Sequence, residues 1–496
     1  MGIKKAGRKQ MISHRITLLG SHDRDLQAWL NGHPEGHERG AIILFRRLAR
    51  NVKEQSKSDR FLAVEIIKMS EEWILESSAT HLRINMRMFP EIYNRCEADN
   101  LELGFVHNHS ASVSSDFSSL DDINERNILK GLSGCNGEKS FLVAMILKDG
   151  LWHARIRQGI KPEEILPVRH ICVISDRIKL HDIDVPNEST EILKRQEAAF
   201  GKPFNAMLRS LRVAVVGVGG TGSSVATLIA RAGVGELILI DGDILDKTNM
   251  NRVRGYRAED AGKNKAKILT EYIDGLGLDI HVSAIDKHLD QSGEAVDAIS
   301  SADVVFGCTD DVAGRDLMNQ CIYYYSQVYI DVGLTGFVDT DKDGYPYLRD
   351  HRGRVSCILP ESGACLRCQR VITEQKLKYE QAMKDNPELA KLDPITLKRD
   401  YYLIGGGEQA PGVGPFTSAT ADNAVATFMN LLRPYRDLSA ELRQDNIWID
   451  FIHMNIHSNE PIDDQECIYC RKQLLTVKSE GKYRLEIPQL GKILNE

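Results

Sequence analysis

His107-Asn108-His109 follows directly on the apolar run ELGFV, and after eight intervening residues comes Ser118-x-x-Asp121. Two imidazoles two residues apart at a strand end can face one metal ion. A carboxylate on the next helix can supply a third ligand and leave a fourth position for water, the arrangement of a hydrolytic zinc centre. A bare His-x-His carries little weight, because loop histidines are common; the full string is far more specific.

A second group of residues suits a nucleotide. Gly217-x-Gly219-x-x-Gly222 lies between an apolar run, RVAVVGV, and a helical stretch, and Asp241 ends the next apolar run, ELILID. Glycines let the backbone approach phosphate, a helix N-terminus attracts it, and the aspartate can bind ribose hydroxyls. Those features alone fit an NAD-dependent oxidoreductase equally well. Asp243, Asn249, Arg252 and Lys265 follow, and then Cys308-Thr309-Asp310-Asp311 at the end of another apolar run. Hydride transfer has no need of an arginine, a lysine and an extra aspartate around the phosphates. ATP with Mg²⁺ needs cations at the α-phosphate and a carboxylate for the metal.

Ten cysteines are present, and four form the pairs Cys365-x-x-Cys368 and Cys467-x-x-Cys470. In a large chain expected to be cytoplasmic these are thiols or metal ligands before they are disulfides. The pairs are too far apart for a local zinc ribbon. A redox pair is expected at the start of a helix in a thioredoxin-like unit, and none is legible.

The elements that must position these groups divide into two textures. Residues 102–107, 140–148 and 151–158 read as strands, the last two joined by the hairpin signal Asp149-Gly150. Helices are expected over 38–50 and 119–132, giving an α+β pattern with antiparallel strands. Residues 161–190, with Pro162, Pro167 and Pro186, read as a connector. Strands at 212–218, 236–241, 303–310 and 328–334 then alternate with helices at 221–233, 263–273 and 313–325, which predicts a largely parallel sheet covered on both faces. A polar, partly helical insert is expected over 372–400.

With 63 Lys and Arg against 70 Asp and Glu in 496 residues, the net charge of −7 argues against a dedicated nucleic-acid binder. No apolar stretch approaches the roughly 18 residues of a membrane helix. The opening MGIKKAGRKQM has cations but no apolar core behind them, and Ala6 stands where a myristoylation signal carries Ser or Thr. A solvated tail on a cytoplasmic protein is expected.

The string His107-x-His109 with Ser118-x-x-Asp121 resembles the JAB/JAMM (MPN) metalloprotease family, which cuts peptide or isopeptide bonds after ubiquitin-like tails. The resemblance implies that His107, His109 and Asp121 bind zinc and that Ser118 helps stabilise the oxyanion. It also implies a glutamate base upstream, Glu38 in GHERGAIILF ahead of its rival Glu65 in FLAVEII. Ser110 replaces the proline usual after the second histidine.

The residues over roughly 195–475 resemble the ThiF/MoeB family and the adenylation domains of ubiquitin-activating enzymes. That resemblance assigns Asp241 to ribose, Asn249, Arg252 and Lys265 to phosphates, and Asp310 to Mg²⁺. It makes Arg195 a finger reaching the nucleotide from the opposite subunit of a homodimer. The four paired cysteines become one closed, structural Zn²⁺ site.

Together the resemblances imply a JAB-like domain (12–160), the connector (161–190), a Rossmann-like ThiF-type domain (191–475) and a tail (476–496). The fusion would adenylate the C-terminus of a ubiquitin-like protein and process or remove that protein. It resembles bacterial conjugation operons, some of which serve phage defence, and a conjugating-enzyme-like partner is expected to accept the acyl group. Activation of a sulfur-carrier protein is the main alternative. Activating relatives often pass the acyl group to a crossover-loop cysteine, but the loop at 401–418 holds Glu408 and Gln409 and no cysteine. Of the unpaired cysteines only Cys357 is a candidate, and its neighbours Ser356 and Ile358 supply neither a lowered pKa nor access, so no thioester is expected on this chain.

Overall fold

A computed structural model of the chain describes residues 13–48, 58–110, 116–187, 190–392, 394–401, 412–437, 445–462, 464–472 and 485. The basic N-terminal tail and the loop residues Glu408 and Gln409 lie outside them. The chain divides into two compact units, one built mainly from the residues up to Ile174 and the other mainly from Val185–Thr476.

The first unit comprises β1 (His14–Leu19), α1 (Gly20–Leu30), β2 (Gly40–Leu48), β3 (Arg60–Lys68), β4 (Ile74–Ser77), β5 (Leu82–Ile84) and α2 (Phe89–Asp99). It continues with β6 (Glu102–Asn108), α3 (Ser119–Asn136), β7 (Phe141–Lys148), β8 (Leu151–Gln158), β9 (Lys161–Leu166), β10 (Val168–Ile174) and β11 (Ile178–His181). Nine of these strands form one sheet in the order β11-β10-β1-β3-β2-β6-β7-β8-β9.

Three expectations are corrected here. The helix expected over 38–50 is the strand β2, at the centre of the sheet between β3 and β6. Its apolar run serves both faces: Ala41, Ile43 and Phe45 join one core with Leu26 and Leu30 of α1, while Ile42 and Leu44 join another with α2 and α3. A strand buried on both faces has no alternation to distinguish it from a buried helix. The connector carries β9, β10 and β11; Pro162 sits at the start of β9 and Pro167 between β9 and β10, while Pro186 follows β11 outside any strand. The sheet is mixed, because β1·β10, β1·β3 and β6·β7 pair in parallel.

The helix expected from 119 is α3, and an ionic network holds its first two turns to β8. Glu125 accepts from Arg155 at 2.9–3.1 Å and from Arg157 at 2.9 Å, and both guanidiniums also reach Asp122 at 2.6 Å. Phe117 lies under Arg155, 4.1 Å from ring centre to guanidinium. Glu125 is buried, and burial raises its pKa against the opposing pull of the two arginines.

The second unit opens with α4 (Lys194–Phe200), α5 (Lys202–Ser210), β12 (Arg212–Val216), α6 (Gly220–Ala232), β13 (Glu236–Ile240), α7 (Lys265–Gly275) and β14 (His281–Ile285). There follow α8 (Gly293–Ser300), β15 (Val304–Gly307), α9 (Val312–Tyr325), β16 (Val328–Thr340), β17 (Pro346–Ile358), α10 (Glu374–Asp385), α11 (Pro394–Tyr401), α12 (Gly414–Leu432), β18 (Ile447–Asp450) and β19 (Asn455–His457). The sheet order is β14-β13-β12-β15-β16-β17-β18-β19. Its first five strands are parallel, as expected for apolar runs joined by helices. The last three run antiparallel, so this sheet is also mixed. Both units are α/β, and the second is Rossmann-like. Of the expected tail only Leu485 is described; it is buried, and its amide donates to the Tyr325 hydroxyl at 2.9 Å. No helix among the described residues is long and apolar enough to cross a membrane.

Removing Glu125 leaves two largely buried guanidiniums without their main carboxylate, which typically costs about 3 kcal/mol. Urea unfolding of Glu125→Ala, followed by tryptophan fluorescence, should show a loss of that order in the first transition. A loss below about 1 kcal/mol would mean that the network does not hold α3.

Candidate functional site

The nucleotide-type residues gather at the C-terminal ends of β12, β13 and β15. Gly217 leaves β12 with φ +80°, and a Cβ there would stand 2.9 Å from the Cys308 carbonyl oxygen. At Gly222 a Cβ would lie 1.8 Å from the Gly217 carbonyl oxygen. Gly219 is the N-cap of α6, and a Cβ there would meet nothing within 4 Å, so the entrance to the helix is open. Strand end, turn and helix start are thus brought within van der Waals reach, and a helix N-terminus so placed attracts negative charge.

The Asp241 carboxylate closes this turn from the next strand, accepting from the Val218 amide at 2.7 Å and the Asp243 amide at 2.8 Å. It is buried, and burial raises its pKa while Lys265 pulls it down. Lys265, the first residue of α7, donates to Asp243 at 2.8 Å. The Arg252 stem passes beside Gly220 and Gly412, and its guanidinium donates to the Thr248 carbonyl at 2.9 Å. Asn249 sits in a capping box with Asp246, and its carbonyl accepts from the Arg252 amide at 3.0 Å. Asp310 is exposed on the loop after β15, one residue before the N-cap Asp311 of α9. An exposed carboxylate there suits a hard cation that keeps several water ligands.

Arg195 stands apart. It is exposed on α4, and among the described residues no hydrogen bond or ion pair joins it to the other nucleotide-type residues. Its neighbour Gln196 fastens α4 to the Ala232 carbonyl at the end of α6, 3.0 Å away.

The two cysteine pairs converge. Cys365 and Cys467 sulfurs are 3.6 Å apart, as are those of Cys368 and Cys470, and all four lie within 4.8 Å of one another. A tetrahedral zinc with bonds of about 2.3 Å separates its sulfurs by about 3.8 Å. The four thiols therefore fit a closed site with no open position. Arg367, between the first two cysteines, forks onto Asp316 of α9 with two bonds of 2.9 Å.

In the first unit His107 and His109 present their Nε2 atoms 3.0 Å apart at the end of β6. Asp121 stands 3.1 Å from one and 3.8 Å from the other. Tetrahedral ligands about 2.0–2.1 Å from zinc are about 3.3 Å apart, so this trio also fits a metal. All three are buried. Burial would raise the Asp121 pKa, but its hydrogen bonds to His107, His109 and Ser118 outweigh this and hold it well below the carboxylate range.

Ser118 is the N-cap of α3. Its hydroxyl and amide both donate to Asp121 Oδ2 at 2.7 Å, and its Oγ accepts from the Asp121 amide. The Ser-x-x-Asp spacing is a capping box as well as a ligand motif. The hydroxyl expected at an oxyanion is committed to aligning Asp121.

The structure separates the two candidate glutamates. Glu38 is buried with Oε1 unpartnered among the described residues, and His107, His109 and Asp121 all act on its charge. Burial, the largest influence, raises its pKa. Glu65 instead pairs with Arg95 through both oxygens, at 2.9 and 2.5 Å.

Sequence reasoning missed several supporting residues. Asn108, between the histidines, accepts from the Arg39 amide at 2.8 Å and so fastens the Glu38 segment to β6. Asn264 caps α7 and donates to the carbonyls of Asp241 and Asp243 at 2.9 and 3.1 Å. Its place just before a helical run was a legible cap signal. Tyr256 donates to the Val218 carbonyl at 2.8 Å, a contact that no spacing announces.

A run of five parallel strands with a glycine turn, a buried strand-end aspartate and a cation-bearing second crossover defines a Rossmann-like nucleotide-binding unit. The chain matches the ThiF family over residues 193–467 and belongs to that family. It is 32% identical over 159 residues to the sulfur carrier protein ThiS adenylyltransferase of Escherichia coli K12, covering 32% of this chain and 61% of that protein. With the SAMP-activating enzyme E1 of Haloferax volcanii it shares 27% identity over 168 residues, 34% of this chain and 56% of the other. Ubiquitin-like modifier-activating enzyme 5 of Drosophila willistoni is 24% identical over 325 residues, 63% and 71% of the two chains. Among solved structures, E. coli MccB with MccA-N7isoAsn aligns with TM-score 0.43 and 21% identity, over 57% of this chain and 75% of that one. The chain spans about half the length of the first curated relatives it matches.

Each cluster should hold its own metal, so metal analysis of the purified chain should find about two zinc ions. Cys368→Ser and His109→Ala should each lower this to about one. Retention of full zinc content in either variant would dissolve the corresponding site.

Proposed function

We propose that the second unit adenylates the C-terminal carboxylate of a small ubiquitin-like protein. The observation that carries this reading is the grouping of Asp241, Arg252 and Lys265 around the open start of α6, with Asp310 at the neighbouring strand end. The carrier carboxylate attacks the α-phosphorus of ATP, the bond to the β-phosphate bridging oxygen breaks, and acyl-adenylate and pyrophosphate result. Asp241 receives the ribose, while Asn249, Arg252 and Lys265 take the charge that grows on the phosphates. Asp310 holds Mg²⁺, which when bound neutralises the departing phosphates. The names of the ThiS- and SAMP-activating relatives support a carrier substrate. A sulfur carrier would be activated by the same residues, and the ThiS relative favours that as a second reading. Arg195, lying apart within one chain, serves the site of a second copy in a homodimer.

The first unit, in this reading, is a JAB-type peptidase acting on the same carrier, either trimming a precursor tail or releasing the attached protein. Its metal supplies an activated water when bound. His107, His109 and Asp121 hold that metal, Ser118 aligns Asp121, and Glu38 takes the water's proton. The pairing belongs to a bacterial conjugation system, with antiphage defence as one setting, and a conjugating-enzyme-like protein accepts the acyl group.

The two activities should separate. With a carrier encoded beside this chain, Lys265→Ala and Asp310→Ala should each lower pyrophosphate–ATP exchange by about a hundredfold or more. His109→Ala should keep exchange and stop cleavage of a tail-extended carrier. Unchanged exchange in Asp310→Ala would remove its Mg²⁺ role, and normal cleavage by His109→Ala would remove the peptidase.

No thioester should form on this chain. Burial pushes the thiols of Cys357 and Cys308 far up and that of Cys321 to about 12, so none is a ready nucleophile. Incubation with ATP and carrier should give no reductant-sensitive adduct in denaturing gels. An adduct lost in Cys357→Ala would contradict this.

A further inference from the structure

The insert after the first cysteine pair docks on the turn that carries Asp310. The helix α10 sends Glu380 to the start of α9, where one oxygen, Oε2, accepts from the Val312 and Ala313 amides, each at 2.9 Å. The next amide, Gly314, donates to the N-cap Asp311 at 2.7 Å. Three amides that would otherwise be left open at the head of a fourteen-residue helix are thereby filled. Two are filled by a side chain from an element distant in sequence. The Glu380 side chain is only 18% exposed, and Lys384 lies 3.5 Å from its other oxygen.

The other end of α10 is held too. Arg367 of the cysteine knuckle reaches Asp316 on α9 and Glu374, the first residue of α10, at 2.6 Å. The two helices are therefore clamped at two points, and Glu380 is the one next to Asp310. Carboxylates at a helix N-terminus are favourable, but the two bonds also fix where the first turn begins. Asp310 lies two residues before Val312, so the same bonds limit where its carboxylate can stand.

We propose that Glu380 is a positioning residue for the metal end of the nucleotide site: it fixes the first turn of α9 and so presents Asp310 to Mg²⁺. The inference rests on the adenylation reading. It requires reach more than charge. Glu380→Gln keeps an oxygen at the same distance, whereas Glu380→Asp keeps the charge but withdraws it by one methylene.

The test uses the full chain and two readouts. Amide hydrogen exchange of the segment spanning Val312 and Ala313, without nucleotide, should quicken about tenfold in Glu380→Ala and Glu380→Asp and stay near the parent in Glu380→Gln. Calorimetric titration of ATP, with Mg²⁺ and with EDTA, gives the tightening due to the metal. Glu380→Ala and Glu380→Asp should lose most of that tightening, about tenfold in affinity, with binding in EDTA unchanged. Glu380→Gln should retain it. Parent-like exchange and metal dependence in Glu380→Asp, or loss of both in Glu380→Gln, would overturn the positioning role. A parent protein whose ATP binding ignores Mg²⁺ would instead overturn the adenylation reading.

Discussion

The second unit turns on a single close approach. A Cβ at Gly222 would lie 1.8 Å from the Gly217 carbonyl oxygen, so α6 can begin where it does only because that residue has no side chain. The turn it closes brings the Val218 amide to Asp241 and the Cys308 carbonyl against Gly217. Three strand ends, β12, β13 and β15, are thereby registered on one short stretch of backbone. Lys265, Arg252 and Asp310 enter from the segments that follow those strands, so their mutual placement inherits the same constraint. A methyl group at position 222 would disturb all of them together.

Both metal-type clusters show geometry doing double duty. Ser118 and Asp121 start a helix by capping each other, and the same bonds hold Asp121 beside two imidazoles. The cysteine knuckle brings four sulfurs to zinc-like separations and also, through Arg367, grips α9. In each case the groups that could bind a metal also bond to neighbouring elements of the fold. Glu38 completes the first cluster through backbone contacts, with its amide bonded to the Ser78 carbonyl at 2.8 Å and its neighbour Arg39 bonded to Asn108.

Much of this was legible in the residues, and the failures have physical causes. The residue types and spacings of the two clusters marked them as candidate ligands, because ligand chemistry restricts residue type severely. That the two distant cysteine pairs meet was implied only by the family resemblance. The parallel strands of the second unit were read from apolar runs broken by helical ones. The run at 40–48 was misread because a strand buried on both faces has no period of two. The strands at 161–181 were missed because Pro162 and Pro167, at or beside strand ends, look like the prolines of a linker. Asn108, Tyr256 and Glu380 act through one or two hydrogen bonds between segments distant in the chain, and no local pattern encodes such contacts. Motif position put Glu38 ahead of Glu65, and the pairing of Glu65 with Arg95 adds a contact that the sequence did not show.

The central claim is attack at the α-phosphate of ATP, and the nucleotide left after turnover tests it most directly. The full chain, given ATP, Mg²⁺, a carrier with a free C-terminus and hydroxylamine to trap the acyl group, should release AMP and pyrophosphate in step with carrier hydroxamate. Release of ADP and phosphate, or consumption of ATP with no modified carrier, would contradict the account.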